Sequence, residues 1–469
     1  MKLSIWLRGL PLFGFSFFEM AASFVRMLIL THVLGPYEFG FAAAISATYA
    51  TIEQITDIAI YRFVFSSHRS IYHETLSGAH ALTIIRGVFL AGCILVVSYP
   101  LACTLATCGD WPSFSWLAPI TIIKSYEHLE IRVAERDYRY WPQFIASLVS
   151  HGSGLIALTV IAYKTGSHYG FIAYLVVQAM VYVLASHLLA AKRYQAKFCS
   201  PYLQRAFEFG LPLMLNGAGL AIVGQGDRLM VGSLLGLPFL GLYAVIVLAG
   251  LVPIGGIFRI LGPLFLAGLH NAHPDKGEYE SRLQLFSRAV PIIAGCYGLL
   301  LVALLKPTLP IVFGERYVIS DVEVLLVALI AFARIVRIEP YTSVLLNFQR
   351  TKELAIANLS TIAGLIVATF LAWIYHSIES VLVGILLGEM VGICVVTLLA
   401  SRLLKFVNVD YAVSLLFVAM ALGSAGALVL LLQATTILGR STIAGGFLLL
   451  IVAGAAVFLP GPYQAAKRA

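Results

Sequence analysis

The chain has 469 residues, 60% hydrophobic and only 12% charged, with mean hydropathy +0.92 and formal net charge +8. A soluble domain carries roughly 25% charged residues, so the composition excludes an ordinary water-soluble enzyme and points to lipid as the solvent. The positive balance does not indicate nucleic acid, because the basic residues collect between apolar stretches on one side, as membrane insertion dictates.

A membrane span needs about 20 mostly apolar residues, and about fourteen such stretches follow one another along the chain. They cover residues 10–30, 38–61, 79–106, 115–134, 142–163, 169–190, 207–234, 239–266, 285–305, 320–347, 354–376, 378–400, 409–432 and 440–459. The fold class expected is an all-α polytopic membrane protein. The first stretch is long and continues into a second, so no cleavable signal peptide is expected. The stretch 115–134 is the least regular, with Lys124, Glu127, His128, Glu130 and Arg132 crowding its second half. Either that helix emerges early into the cytoplasm, or its polar side lines a cavity. The longest loops, near 62–78, 191–206 and 267–284, leave no room for an independent soluble domain. Trp111, Trp116, Trp141 and Trp373 fall near span ends, where indoles favour the interface.

With the N-terminus inside, the outward loops hold about four basic residues, Lys164, Lys306, Arg316 and Arg440, against about twenty on the inner side. The inner set includes Arg62, Arg69, Arg136, Arg139, Lys192, Arg193, Lys197, Lys405, Lys467 and Arg468. Both termini are therefore expected in the cytoplasm. The six cysteines are scattered and none has metal-ligand spacing. Cys103 and Cys108 share one loop, which leaves a disulfide open, although isolated thiols fit the scatter better. Neither a metal nor a cofactor is expected.

Residues 26–43 lie over 227–244 at an offset of 201: Leu28, Leu34, Gly35, Gly40 and Ala43 recur as Leu229, Leu235, Gly236, Gly241 and Ala244. Both copies end one helix, turn at Leu-Gly and start the next, as a duplication of six helices would produce. Two related six-helix lobes around a central cavity are expected, 1–200 and 201–405, with 406–469 adding a C-terminal helix pair. Helix 7 is rich in small residues (Gly210, Pro212, Gly217, Gly219, Gly224, Gly226), which read as close backbone packing or, more sharply, as a bend. Helix 8, with Pro253, Gly255, Gly256, Gly262 and Pro263, offers the same choice.

Seven of the 31 basic residues lie in or near the ends of apolar stretches: Arg26, Arg86, Lys124, Arg228, Arg259, Arg334 and Arg337. A charge at bilayer depth costs at least ~2.5 kcal/mol and is normally turned toward a partner or a watery cavity. Several in one chain point to a cationic interior and an anionic cargo. The acidic residues of the spans are Glu19, Glu53, Asp57, Asp227, Glu339 and Glu389. Glu53 and Asp57, four apart, are expected on one face of helix 2. Neighbouring carboxylates share a proton, which suits ion coupling, while neutralising cavity arginines is the blander role. Asp227 and Arg228 read as a structural pair at a helix end.

The chain resembles the polysaccharide transporter (Wzx-type) flippases of the multidrug/oligosaccharidyl-lipid/polysaccharide (MOP) superfamily. The resemblance rests on Arg26 followed by Leu34-Gly35-Pro36-Tyr37-Glu38-Phe39-Gly40, on Glu208-Phe209-Gly210-Leu211-Pro212, and on Asp227-Arg228-Leu229 followed by Leu235-Gly236 and Gly241-Leu242-Tyr243. It extends over essentially the whole length. The second motif reads Leu237-Pro238 where the first has Pro36-Tyr37, so the two turns need not be identical. The resemblance implies a bacterial inner-membrane flippase, not an enzyme, that moves undecaprenyl-diphosphate-linked oligosaccharides from the cytoplasmic to the periplasmic leaflet by alternating access, coupled to an ion gradient. Its implied partners are the lipid-linked oligosaccharide, membrane lipid, a polysaccharide polymerase and a chain-length regulator.

For such a cargo, arginine suits the diphosphate because its planar fork stays charged and binds phosphate in two places. Arg26, Arg259, Arg334 and Arg337 are the expected diphosphate ligands, with Tyr341 on the face of Arg334 and Arg337. Arg86, near the cytoplasmic end of helix 3, either admits the headgroup as a further diphosphate ligand or snorkels to lipid phosphates. Tyr49, Tyr61, Tyr126, Asn216, Gln225, Tyr297, Tyr341 and Asn347 are candidates for sugar contact. Two other carriers fit the same chemistry, a lipid II flippase and a drug/cation antiporter of the superfamily. An enzyme is disfavoured, since no outer loop exceeds about fifteen residues and no Ser/His/Asp set, metal-ligand pair or phosphate-cradling loop is evident.

Overall fold

The computed structural model describes residues 2–58, 60, 63–64, 72–137, 139–198, 201–272, 276–404, 409–434 and 436–458. Arg62, Arg69, Lys405, Lys467, Arg468, Tyr61 and the side chain of Asn216 lie outside what is described. Helix occupies most of every stretch expected to span, and no strand occurs among the described residues. A helix bonds its own backbone groups, which is what a bilayer demands. Eight helical segments among the described residues are long and apolar enough to cross a membrane.

The chain divides into two compact units, Met1–Gly241 and Leu242–Ala469. The first contains α1 (Lys2–Val33), α2 (Pro36–Ile55), α3 (Tyr72–Thr104), the short α4 (Trp111–Ser115), α5 (Leu117–Ser125), α6 (Glu130–Val133), α7 (Trp141–Thr165), α8 (Tyr169–Leu189) and α9 (Pro201–Leu234). α10 (Leu237–Gly250) starts at its end. α9 packs on α2 and α3, α1 on α7, and α5 on α3.

α7 and α8 form a hairpin closed at Gly166, whose φ of +63° lets its N–H reach Ala162 O at 2.8 Å. The hairpin is tight because its glycines lack side chains. A Cβ at Gly170 would lie 2.7 Å from that of Ala162, and one at Gly154 would lie 2.9 Å from Tyr174 Cδ2. In α9, Gly210 and Gly217 serve the same purpose against α2: Cβ atoms there would meet Ile58 Cγ2 at 1.9 Å and Gln54 O at 2.6 Å. Close packing therefore accounts for those two glycines, whereas Gly224 faces open space.

The two Leu-Gly turns meet inside unit 1. A Cβ on Gly40 would strike Leu237 O at 1.8 Å, and one on Gly241 would strike Pro36 O at 2.5 Å. Pro36 and Leu237 are themselves equivalent at the offset of 201, so the contact is reciprocal. The turns are not identical: Gly35 has φ −70° ahead of Pro36, while Gly236 takes φ +95°.

Of the two alternatives that the polarity of 115–134 left open, the structure shows the cavity lining. α5 stops at Ser125, a short turn leads to α6, and Lys124 and Arg132 line a cavity. Cys103 and Cys108 form a disulfide, contrary to the expectation of isolated thiols, because the turn after α3 brings their Cα atoms to 4.2 Å.

The second unit contains α11 (Ile254–Ala272), α12 (Lys276–Phe313), α13 (Asp321–Ile338), α14 (Tyr341–Asn347), α15 (Thr351–Leu359), α16 (Ile362–Tyr375), α17 (Ile378–Leu404), α18 (Val409–Leu431) and α19 (Ile437–Phe458). The expected eighth span is broken at 251–253, ahead of α11, where Pro253 withholds an N–H. α16 and α17 touch through glycine: a Cβ on Gly364 would lie 2.4 Å from Gly388 Cα. α18 and α19 both pack on α12. Arg440, expected in an outer loop, is instead fully buried in the first turn of α19. Burial is tolerated because Asp321, which also holds Lys306 at 2.6 Å, pairs with it.

Candidate functional site

A cavity of about 320 Å³ lies within unit 1. α1 lines it with Glu19 and Arg26, α2 with Ser46, Tyr49 and Glu53, and the α5–α6 segment with Lys124 and Arg132. The α7–α8 hairpin supplies Gln143, Ser147, His151, Phe171, Tyr174, Gln178 and Tyr182.

Each cation rests on an aromatic face. Lys124 Nζ lies 5.2 Å from the Tyr49 ring centroid, donates to its hydroxyl at 3.0 Å, and sits 3.5 Å from Glu53 Oε1. Arg132 Cζ lies 5.9 Å from the Tyr182 ring, with Nε donating to its hydroxyl and Nη2 to Glu127, both at 3.3 Å. Arg26 differs: Cζ lies 5.0 Å from the Tyr174 ring and 5.5 Å from Phe171, and Nη2 donates to Ser23 Oγ at 3.1 Å. It has no carboxylate within ion-pair distance among the described residues, and its buried Nε has no partner there. Lys124 and Arg132 are neutralised locally, while Arg26 is not. A guanidinium laid on a ring keeps its N–H edge free for an anion.

A smaller cavity of about 90 Å³ adjoins, reached by Tyr49, Glu53, Lys124, Arg132 and Arg86. Arg86 Nη2 donates to the Glu53 carbonyl at 2.9 Å and to Thr56 Oγ1 at 3.4 Å. It therefore caps the last turn of α2, where the helix dipole favours a cation. α2 ends at Ile55, so Asp57 lies beyond the helix and not on one helical face with Glu53. Glu53 faces Lys124 instead of a second carboxylate.

Arg334 and Arg337 are in unit 2 and converge on one carboxylate. Arg334 Nε lies 2.7 Å from Glu389 Oε1 and Arg337 Nε 2.6 Å from Oε2, with Arg337 Nη1 donating to Asn358 Oδ1 at 3.0 Å. Glu389 is only 5% exposed. A Cβ on Gly392 would sit 2.3 Å from Arg337 Cδ, so the glycine makes room for the arginine. α13 ends at Ile338, which puts Tyr341 on the next helix and not on the arginine face. Arg259, on α11, is exposed and has no hydrogen-bond or ion-pair partner among the described residues. At the end of α9, the Arg228 guanidinium goes to Gln225 Oε1 at 2.8 Å, and Asp227 accepts the Arg228 backbone N–H at 2.8 Å.

Among the sugar-contact candidates, Tyr49 lines the cavity. Gln225 holds Arg228, Tyr297 donates to Gly250 O at 2.8 Å, and Asn347 lies 3.2 Å from His270. Sequence reasoning passed over Phe171, Tyr174, Gln178 and Tyr182, whose spacing of three, four and four marks one face of α8. It also missed a hydrogen-bonded line from Ser113 Oγ to His168 Nε2 (2.9 Å) and from His168 Nδ1 to Glu38 Oε2 (2.7 Å). Ser113 is fully buried, so the line ties the starts of α2, α4 and α8 together and offers no accessible nucleophile.

A family described as polysaccharide biosynthesis protein matches residues 29–321. No curated protein matches the sequence. Three solved structures share the fold. The lipid II flippase MurJ, in an inward closed conformation, is 13% identical with TM-score 0.63, covering 95% of this chain and 98% of that one. A multidrug resistance MATE family transporter of the MOP superfamily, inward-facing, is 16% identical with TM-score 0.58, covering 82% and 94%. A MOP superfamily transporter from Pyrococcus furiosus, described by a reversed polarity of its binding pocket, is 15% identical with TM-score 0.54, covering 85% and 95%. Identities this low speak for the fold alone. The family match covers more than half of the chain, so this chain belongs to the polysaccharide biosynthesis protein family, and its apolar helices make it a multi-pass membrane protein.

Proposed function

We propose that this protein turns an undecaprenyl-diphosphate-linked oligosaccharide from the cytoplasmic to the periplasmic leaflet of the bacterial inner membrane, with the unit 1 cavity receiving the anionic headgroup. One observation carries this: Arg26 presents a guanidinium stacked on two rings and not neutralised by any described carboxylate, in a cavity walled by amides and hydroxyls. A diphosphate crossing lipid without such a partner would meet the desolvation cost of a bare ion. Gln143, Gln178, Ser46 and Ser147 offer the neutral donors and acceptors that sugar hydroxyls need.

Glu53 and Lys124 supply a means of ion coupling. Their 3.5 Å contact holds the lysine until Glu53 is protonated or a phosphate competes for it. Asp57, just beyond α2, is the nearest further carboxylate in the sequence. The disulfide after α3 supports a cytoplasmic N-terminus, since a loop that follows a third span then faces an oxidising compartment, and an even number of spans brings the C-terminus to the same side. In this reading a polymerase and a chain-length regulator consume the delivered units.

The test is Arg26→Ala in the native host. Lipid-linked oligosaccharide accumulates on the inner leaflet while the protein stays in the membrane, and Arg26→Lys restores export only in part because it loses the bidentate fork. Normal export by Arg26→Ala overturns the headgroup assignment. Accumulation of lipid II instead of an oligosaccharide-lipid assigns the cargo to peptidoglycan.

A further inference from the structure

We propose that Tyr174 is a positioning residue: it aims the Arg26 guanidinium into the unit 1 cavity. The inference rests on the headgroup reading above. Arg26 lines that cavity from α1, and a long flexible side chain needs support to hold one direction.

The cradle that holds the arginine is built from three helices. Phe171 and Tyr174, one turn apart on α8, hold their rings almost parallel, 8° between planes and 6.2 Å between centroids. Arg26 Cζ stands 5.0 and 5.5 Å from the two centroids. Tyr174 is itself immobilised. Its side chain is 1% exposed, its phenol hydrogen-bonds His151 Nδ1 at 2.6 Å, and its ring fills the space left by Gly154, where a Cβ would come within 2.9 Å. His151 in turn meets Phe18 of α1 edge-on, 6.2 Å between centroids. The order of support runs from α7 to the tyrosine and from the tyrosine to the arginine.

Binding of undecaprenyl diphosphate to the purified full-length protein in detergent tests this through a double-mutant cycle. Arg26→Ala weakens binding, and Tyr174→Leu weakens it by about three- to thirtyfold, the range from a partly to a fully desolvated cation–π contact. Tyr174→Leu adds nothing once Arg26 is alanine. Tyr174→Phe keeps the ring and most of the affinity. Gly154→Ala, whose Cβ would press on the Tyr174 ring at 2.9 Å and more lightly on Gln178 Cβ at 3.2 Å, reproduces the loss that depends on Arg26 and guards against a misfolded leucine variant. Wild-type affinity in Tyr174→Leu, or losses that add independently of Arg26, overturn the positioning role while leaving the headgroup reading intact. Wild-type affinity in Arg26→Ala overturns both.

Discussion

Removing the Glu389 carboxylate should destabilise unit 2 severely. Arg334 and Arg337 each donate to it, at 2.7 and 2.6 Å, and the carboxylate is 5% exposed. Arg337, only 10% exposed, has no other described carboxylate to turn to; Arg334, at 30%, is freer to move outward. Breaking a buried pair by deleting one partner costs about 3–5 kcal/mol, because the remaining charge is stranded, and Arg337 places Glu389→Ala in that range. Glu389→Gln keeps one acceptor and should cost less. Replacing all three with apolar residues (Arg334→Met, Arg337→Met, Glu389→Leu) should recover most of the loss, since apolar substitutes for a buried ionic cluster are often neutral. The assay is thermal unfolding of the detergent-solubilised protein, with the fraction surviving extraction as a second measure. Glu389→Ala unfolding at the wild-type temperature would refute the reasoning, and would return Arg334 and Arg337 to the pool of charges free for cargo.

Gly40→Ala should lower the unfolding temperature, by overpacking worth about 1–3 kcal/mol, because its Cβ would strike a backbone oxygen; an unchanged temperature would deny the reciprocal contact with Leu237. His80 joins Gln195 O at 2.9 Å to the Leu129 N–H at 3.2 Å, so His80→Phe leaves both groups unmet at roughly 1–3 kcal/mol each. Faster trypsin cleavage at Lys192, Arg193 and Lys197 is expected, and an unchanged rate would show that this histidine does not hold the segment down. A membrane-impermeant maleimide added to intact spheroplasts should label Cys103 and Cys108 only after reduction. Labelling without reductant would exclude the disulfide, and labelling only after lysis would invert the orientation.

The sequence carried the fold class because membrane solvation acts on composition: long apolar runs, short loops and an uneven distribution of lysine and arginine are legible without coordinates. The two Leu-Gly turns were legible too, and the structure brings them together through Gly40 against Leu237 O and Gly241 against Pro36 O. Arg26 stood out because a base inside an apolar run has few explanations. Helix ends were less accessible: Asp57 and Tyr341 fall past the stops of α2 and α13, where a one-residue change of backbone removes a side chain from its expected face.

Which charges are free was decided by tertiary structure alone. Arg26, Arg334 and Arg337 look alike along the chain, each a base among apolar neighbours. Glu389, more than fifty residues away, converts two of them into a buried ionic cluster, and Tyr174 gives the third a ring in place of a carboxylate. Sequence set how many charges enter the membrane. Long-range packing determined which of them meet an opposite charge, because neutralisation depends on distances that only the folded chain establishes.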